Sequence, residues 1–333
     1  MFVKAFSYIL CSCIISFLIC LIGVIISFFF QGTLIAQDLF TSYVFHFDGI
    51  LIWGFGYGLL WFVRATQKGV LAQLNNVLEI SQKDQSKIVR FNRRATSPVW
   101  ANLIAIPITV LGGIILWNCG YPLEGFAKFF LAACSISLYY AGGYLLAYFI
   151  FSVEFFHTLD ESGDTAIRKG GTRALDLEAL NLFFIIVSTV GVAALYLAFR
   201  GTLTANFVFL PKSEFVRKLM VFPLITFLPA PLFYSFYPRY VLKRIVESDI
   251  LRKISAIENS REAIMNEHAT LREKFELEKT MLEIKDRLLS ERGRLSILSL
   301  KDTPSLLLAL LMFLQFIVPR DGVVSNFLNS LLQ

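Results

Sequence analysis

The chain has 333 residues, of which 56% are hydrophobic and 17% are charged, and its mean hydropathy is +0.64. Soluble globular proteins are about 45–50% apolar and about 25% charged. A soluble core cannot hide so much apolar surface, so the composition excludes a soluble enzyme, a secreted disulfide scaffold and a disordered chain. The sequence indicates an all-α integral membrane protein.

Six apolar runs are long enough to cross about 30 Å of hydrocarbon as helices. In chain order they are residues 5–30, 43–63, 99–117, 126–156, 182–199 and 219–237. The first run is longer than the core of a signal peptide and no cleavage site follows it, so we interpret it as a retained span. Residues 1–238 are therefore predicted to form a six-span transmembrane domain.

The distribution of Lys and Arg predicts the orientation of these spans. Segments 64–98, 157–181 and 238–304 are rich in Lys and Arg, whereas segments 31–42 and 119–125 contain neither. Positive residues stay on the cytoplasmic side, which places the N-terminus in the cytoplasm of a bacterial inner membrane or a plasma membrane. Segment 200–218 breaks the alternation and is taken as a local exception. Because topology accounts for the net charge of +6, no nucleic-acid partner is expected.

The first cytoplasmic segment is predicted to contain an amphipathic helix over about residues 65–95. Its second half carries a basic stripe at helical spacing, formed by Lys83, Lys87, Arg90 and Arg94. Such a stripe either contacts anionic lipid headgroups or serves only as a cytoplasmic retention signal. Ser97 and Pro98 then predict the start of the third span, as a capping hydroxyl followed by proline at the first helical position.

Residues 239–303 are predicted to form a cytoplasmic helical hairpin or coiled coil. Two seven-residue repeats define the seam, which can serve self-association or binding of a cytoplasmic partner. The first repeat is Ile250, Ile257, Ile264 and Leu271, and the second is Phe275, Leu282 and Leu289. A capping-box pattern beginning at Thr270 predicts a break at 266–270 and an antiparallel hairpin. The alternative is one helix of about 50 residues, roughly 75 Å long.

Residues 304–333 are predicted to form a membrane-associated apolar segment. The run 305–318 is short for a span, so it is either a short seventh span or a re-entrant or interfacial helix. Gln315 within the run favours contact with protein or water over bare lipid.

Candidate functional residues are few. Pro223, Pro229 and Pro231 predict a kinked or broken sixth span, which serves either as a hinge or pore-lining element or as a static kink. Asp48 is placed near the outer end of the second span, at a pore mouth or simply at a hydrated interface. The histidines are far apart and the cysteines lie mostly in apolar runs, so no metal, no cofactor and no catalytic residue is expected.

These features favour a homo-oligomeric membrane channel or pore-like effector gated through its cytoplasmic helices. The alternative is a non-conducting scaffold or sensor that recruits a cytoplasmic partner, and a small-solute transporter comes third. The arrangement is loosely similar to that of insect chemoreceptor channels, with a cytoplasmic N-terminus, six spans, a helical cytoplasmic anchor and a short final apolar helix. Gln315-Phe316 resembles the end of their final-helix signature, although Leu308-Ala309 stands where that signature has Thr-Tyr. The resemblance implies a channel.

Overall fold

The computed structural model of the chain describes residues 1–39, 47–79, 86, 89–90, 93–94, 97–118, 125–161, 166–167, 177–204, 227–265, 271–292 and 300–317. In chain order the helices are α1 (Phe2–Gln31), α2 (Thr33–Leu39), α3 (Phe47–Val77), α4 (Pro98–Asn118), α5 (Gly125–Glu161), α6 (Leu177–Thr204), α7 (Pro229–Met265), α8 (Leu271–Arg292) and α9 (Thr303–Ile317). A 3₁₀ turn, Leu300–Asp302, precedes α9. The predicted helical class is confirmed.

Three helices of the described part are long and apolar enough to cross a membrane. They are Phe2–Gln31, Gly125–Glu161 and the Ala179–Phe199 stretch of α6. Pro98–Ile114 and Thr303–Leu314 are shorter apolar helices. The helix α4 begins at Pro98, the predicted position. Residues 219–226 of the predicted span 219–237 lie outside the described residues, so the full count of six remains a prediction.

The packing of α1 is the reverse of that in a water-soluble protein. Its large apolar side chains point outward, as at Ile14 and Ile22, which are 51% and 55% exposed. Its buried side carries small or weakly polar residues: Ala5, Ser12, Ser16, Cys20, Gly23 and Ser27. Small residues at helix contacts and large apolar residues facing outward are typical of helices packed in lipid, where burial of apolar surface no longer drives association.

The helices α1 and α3 approach each other closely at Gly58. A Cβ atom added there would lie 2.6 Å from the Cα atom of Ile9, a backbone atom that cannot move aside independently. Two residues earlier, a Cβ atom at Gly56 would meet only Cδ2 of Leu138, at 3.5 Å. The spacing of the two helices therefore depends on glycine at Gly58 and not at Gly56.

We expect Gly58→Ala to lower the free energy of unfolding by about 1–2 kcal/mol, because the added methyl group forces α1 and α3 apart. Gly56→Ala, the matched control in the same helix, is expected to change it little. Unfolding of the detergent-solubilised protein, followed by circular dichroism during titration with a denaturing detergent, measures both. Equal effects of the two substitutions would contradict this packing of α1 on α3.

The core of the bundle is aromatic and lies between α3, α5, α6 and α7. The ring of Tyr234 on α7 stacks on Phe149 of α5 with centroids 4.5 Å apart, and its side chain is 1% exposed. The rings of Phe183 and Phe184 on α6 make edge-to-face contacts with the Tyr234 ring. This layer holds the first turns of α7 against α5 and α6.

The core continues beyond the predicted membrane region. The helix α3 runs through its predicted span and into the predicted cytoplasmic helix without interruption, and it ends at Val77. Two short strands follow in different loops, β1 (Leu78–Glu79) and β2 (Ala166–Ile167), and they pair antiparallel with Leu78 opposite Ile167. Both strands lie in segments predicted to be cytoplasmic, and β2 also contacts α7. The middle of α7 therefore packs beside these two short strands, in the region predicted to be cytoplasmic.

Candidate functional site

A fully buried ion pair lies at the base of the predicted hairpin. The guanidinium of Arg239 on α7 donates to both carboxylate oxygens of Asp302, with N–O distances of 2.8 and 2.9 Å. The side chains are 0% and 1% exposed. Two parallel charge-assisted hydrogen bonds of this kind are strong and fix the orientation of both groups.

The remaining donors of Arg239 are also paired. Its Nε donates to the backbone carbonyl of Ser235 and its Nη2 to the Ser235 hydroxyl, while Nη1 donates to the Asn181 amide oxygen at 3.2 Å. With the two bonds to Asp302, all five guanidinium N–H groups are used. The guanidinium carbon also lies 5.1 Å from the ring centroid of Phe236. A buried charge is tolerated under such conditions because every lost hydrogen bond to water is replaced.

Local sequence explains how the partners reach this point. Ser235 and Arg239 lie four residues apart on α7, so both side chains share one face of the helix. Asp302 ends the 3₁₀ turn immediately before α9, and its backbone carbonyl accepts a hydrogen bond from the Ser305 hydroxyl at 2.8 Å. The cluster thereby joins α6, α7 and the start of α9, and it closes a loop of 63 residues.

The helix α9 packs beside α6 and runs in the same direction. Asp302 lies close to Asn181, near the beginning of α6, because both bind the same guanidinium nitrogen. Ten residues further on, Met312 is fully buried in a cluster with Val192 and Tyr196 of α6. The opposite side of α9 is open, with Leu310 53% exposed. The Arg239–Asp302 pair thus lies where both α7 and α9 meet the beginning of α6.

The two helices of the predicted hairpin, α7 and α8, are in contact. Arg261 of α7 pairs with Glu278 of α8, and Glu258 of α7 pairs with Lys285 of α8 at 2.8 Å. The earlier residue on α7 binds the later residue on α8, so the two helices are antiparallel. The helix α7 ends at Met265 and α8 begins at Leu271, on either side of the predicted break, which itself lies outside the described residues.

The predicted seam is divided between two environments. Ile250 is 1% exposed and packs in the bundle core, whereas Phe275 and Leu282 on α8 are 69% and 54% exposed. Ile257 is half-buried. Ile264, Leu271 and Leu289 lie in the helices, but their side chains are outside the described part. The two repeats therefore serve different surfaces, because α7 packs on α5 and α6 before it reaches α8.

The predicted gate residues are distributed over several helices. Pro229 occupies the first position of α7, where a proline needs no amide hydrogen, and Pro231 packs against Gly191 of α6. Pro223 lies outside the described residues, as do the side chains of Asp48 on α3 and Gln315 on α9. The structure thus brings Pro229 and Pro231 to the start of α7.

The predicted lipid-contacting stripe is described only in part. Arg90 is exposed, whereas Arg94 lies 4.9 Å from the centroid of the Trp100 ring and within 4.0 Å of Glu154. Lys83 and Lys87 lie outside the described residues.

Sequence reasoning missed the Arg239–Asp302 pair. It treated Arg239 as one positive charge among many at the cytoplasmic end of a span, and it did not single out Asp302. A signal was available, since each residue stands directly at a boundary between an apolar helix and the charged segment. In the part of the chain that the structure describes, no group of three or more His, Cys, Asp or Glu side chains is arranged to hold a metal ion.

Because every donor of the Arg239 guanidinium is paired, two of them with Asp302, the cluster is suited to fixing α6, α7 and α9 relative to one another. No family model, no curated protein and no solved structure matches the chain. The candidate function therefore depends on the geometry of the bundle.

Proposed function

We propose that the protein is a homo-oligomeric membrane channel or pore-like effector, gated by its cytoplasmic hairpin. In this proposal the chain has six spans, a cytoplasmic N-terminus and a C-terminal apolar helix that enters the membrane. The outward-facing apolar side chains of α1 and the three span-length helices support the location in a membrane.

The observation that carries the proposal is the buried Arg239–Asp302 pair. It lies on the helix α7, which begins at Pro229 and continues for 37 residues into the hairpin, about 55 Å in all. Movement of the hairpin is therefore transmitted along α7 to the pair, and from the pair to α6 and α9. A rigid helix joined to a buried clamp is a physical route from a cytoplasmic domain to intramembrane helices.

In this proposal α9 enters the membrane from the cytoplasmic side, beside α6, and ends within it. Its 15 residues extend about 22 Å, which is less than the roughly 30 Å of hydrocarbon. A half-crossing helix with one open apolar side is a suitable element to line or plug a pore between subunits.

Replacing both Pro229 and Pro231 by alanine is expected to change the single-channel conductance or open probability without dissolving the assembly. Alanine extends regular helix into a segment where Pro231 packs on Gly191, so the start of α7 moves relative to α6. Purified protein in lipid nanodiscs is measured by native mass spectrometry for stoichiometry, and in planar bilayers for current. The matched control is Pro98→Ala, at the first position of α4, for which the same current as wild type is expected.

A closed oligomer of three or more subunits that passes current supports the channel. Protein that never passes current, under any lipid composition or voltage, overturns it. The second candidate is a non-conducting scaffold or sensor, favoured by the exposed Phe275 and Leu282 on α8, which offer a surface for a cytoplasmic partner. Under that alternative the double proline variant leaves partner binding unchanged.

A further inference from the structure

The helix α8 carries a stripe of exposed residues along its outer side. Phe275 and Leu282 are 69% and 54% exposed, and Lys279 and Asp286 are exposed at the positions between and beyond them. Their spacing of four, three and four residues places all four on one side of the helix. We call these four residues the outer stripe.

The outer stripe lies beside the side of α8 that faces α7, and not on it. The neighbouring side of α8 is occupied by Glu278 and Lys285, which pair with Arg261 and Glu258 of α7. Apolar residues seven positions apart on an open helix side are the pattern by which one helix packs against another. A helical partner therefore fits this surface better than an extended peptide or a small ligand.

We propose that this partner is the outer stripe of a second copy of the chain, packed antiparallel about a two-fold axis near Leu282. In that arrangement Lys279 of one copy faces Asp286 of the other, and the two-fold axis repeats the pair. A parallel arrangement would place Lys279 against Lys279 and Asp286 against Asp286. Opposite charges attract and like charges repel across a helix pair, so the charges select the antiparallel arrangement.

The inference goes beyond the proposed function and rests on its placement of the hairpin outside the membrane. The two-fold axis crosses the helices, which limits how two copies can meet. Because α7 continues from the bundle into the hairpin as one helix, two hairpins of the same membrane lie parallel to each other. The antiparallel pair therefore joins hairpins that extend from two facing membranes.

Charge reversal tests the pairing. The single substitutions Lys279→Asp and Asp286→Lys each turn two attractive contacts into repulsive ones, and we expect each to weaken self-association about tenfold. The double variant Lys279→Asp with Asp286→Lys restores the opposite charges and is expected to restore wild-type association. Ile284→Ala is the control, because Ile284 is 45% exposed on the other side of α8. Sedimentation of the full chain in detergent measures all four variants.

Cross-linking tests the direction. Full-length proteins with Lys279→Cys or Asp286→Cys are expected to form a disulfide-linked dimer only when the two are mixed. A dimer from either variant alone indicates parallel packing and overturns the proposal, as does the absence of any dimer. Clustering of vesicles that display the cytoplasmic side, lost in Lys279→Asp and regained in the double variant, assigns the pairing to facing membranes. Cross-linking without clustering overturns the pairing of facing membranes. Current in planar bilayers is recorded on the same variants, so the channel can stand when the stripe proposal fails.

Discussion

Replacing Asp302 by asparagine is expected to lower the free energy of unfolding by about 3–5 kcal/mol. Asparagine has the shape of aspartate but no charge, so the buried guanidinium of Arg239 keeps its neighbours and loses its counter-ion. The loss exceeds that of an ordinary hydrogen bond because Arg239, at 0% exposure, cannot turn to water. Denaturing-detergent titration of the purified protein, followed by circular dichroism, measures the change.

The matched control is Asp160→Asn, which removes an ion pair of similar length with Arg244. Arg244 is 60% exposed, so the expected cost is about 0–1 kcal/mol. The double variant Arg239→Met with Asp302→Leu removes both buried charges and is expected to recover most of the stability lost by Asp302→Asn. Equal costs for the single variants of the two pairs would contradict the burial of the Arg239–Asp302 pair.

Replacing Met312 by alanine is expected to cost about 2–3 kcal/mol and to loosen α9 from α6. Met312 is 0% exposed against Val192 and Tyr196, so truncation leaves a gap that rigid helices cannot fill. The expected value lies at the lower end of the usual range, because lipid is as apolar as the cluster and only packing contacts are lost. Protease cleavage after α9, on intact vesicles and during the same detergent titration, reports its release.

Leu310→Ala on the same helix is the control. Leu310 is 53% exposed and loses few contacts, so we expect a change of about 0.5 kcal/mol or less. If Leu310→Ala were as costly as Met312→Ala, the side of α9 that faces α6 would have to be reassigned.

The local features of the sequence predicted much of the helical framework. The apolar runs matched α1, α4 and α5 because a stretch of apolar residues needs no distant partner to be recognised. The start of α4 at Pro98 follows from the geometry of proline alone. The helix α7 ends at Met265 and α8 begins at Leu271. These two residues lie on either side of the break that the capping pattern predicted.

Contacts between distant segments were not predictable in this way. The antiparallel pairing of Leu78 with Ile167 joins two different loops, and neither two-residue strand has a recognisable pattern. The two seven-residue repeats are a further example, since Ile250 of the first is buried whereas Phe275 of the second is exposed. A repeat shows that one side of a helix is apolar, but it does not show which neighbour covers that side.

The sequence by itself determined that this is a helical protein with segments long and apolar enough to span a membrane, because hydropathy and helix length are properties of consecutive residues. Only the tertiary structure decided that Arg239 meets Asp302 across 63 residues, and that α9 lies beside α6. A charged residue next to a span looks the same in the sequence whether it faces water or a buried carboxylate. The difference arises from how the helices pack. Packing decides which charged side chains lose contact with water, and each of these then needs an opposite charge beside it.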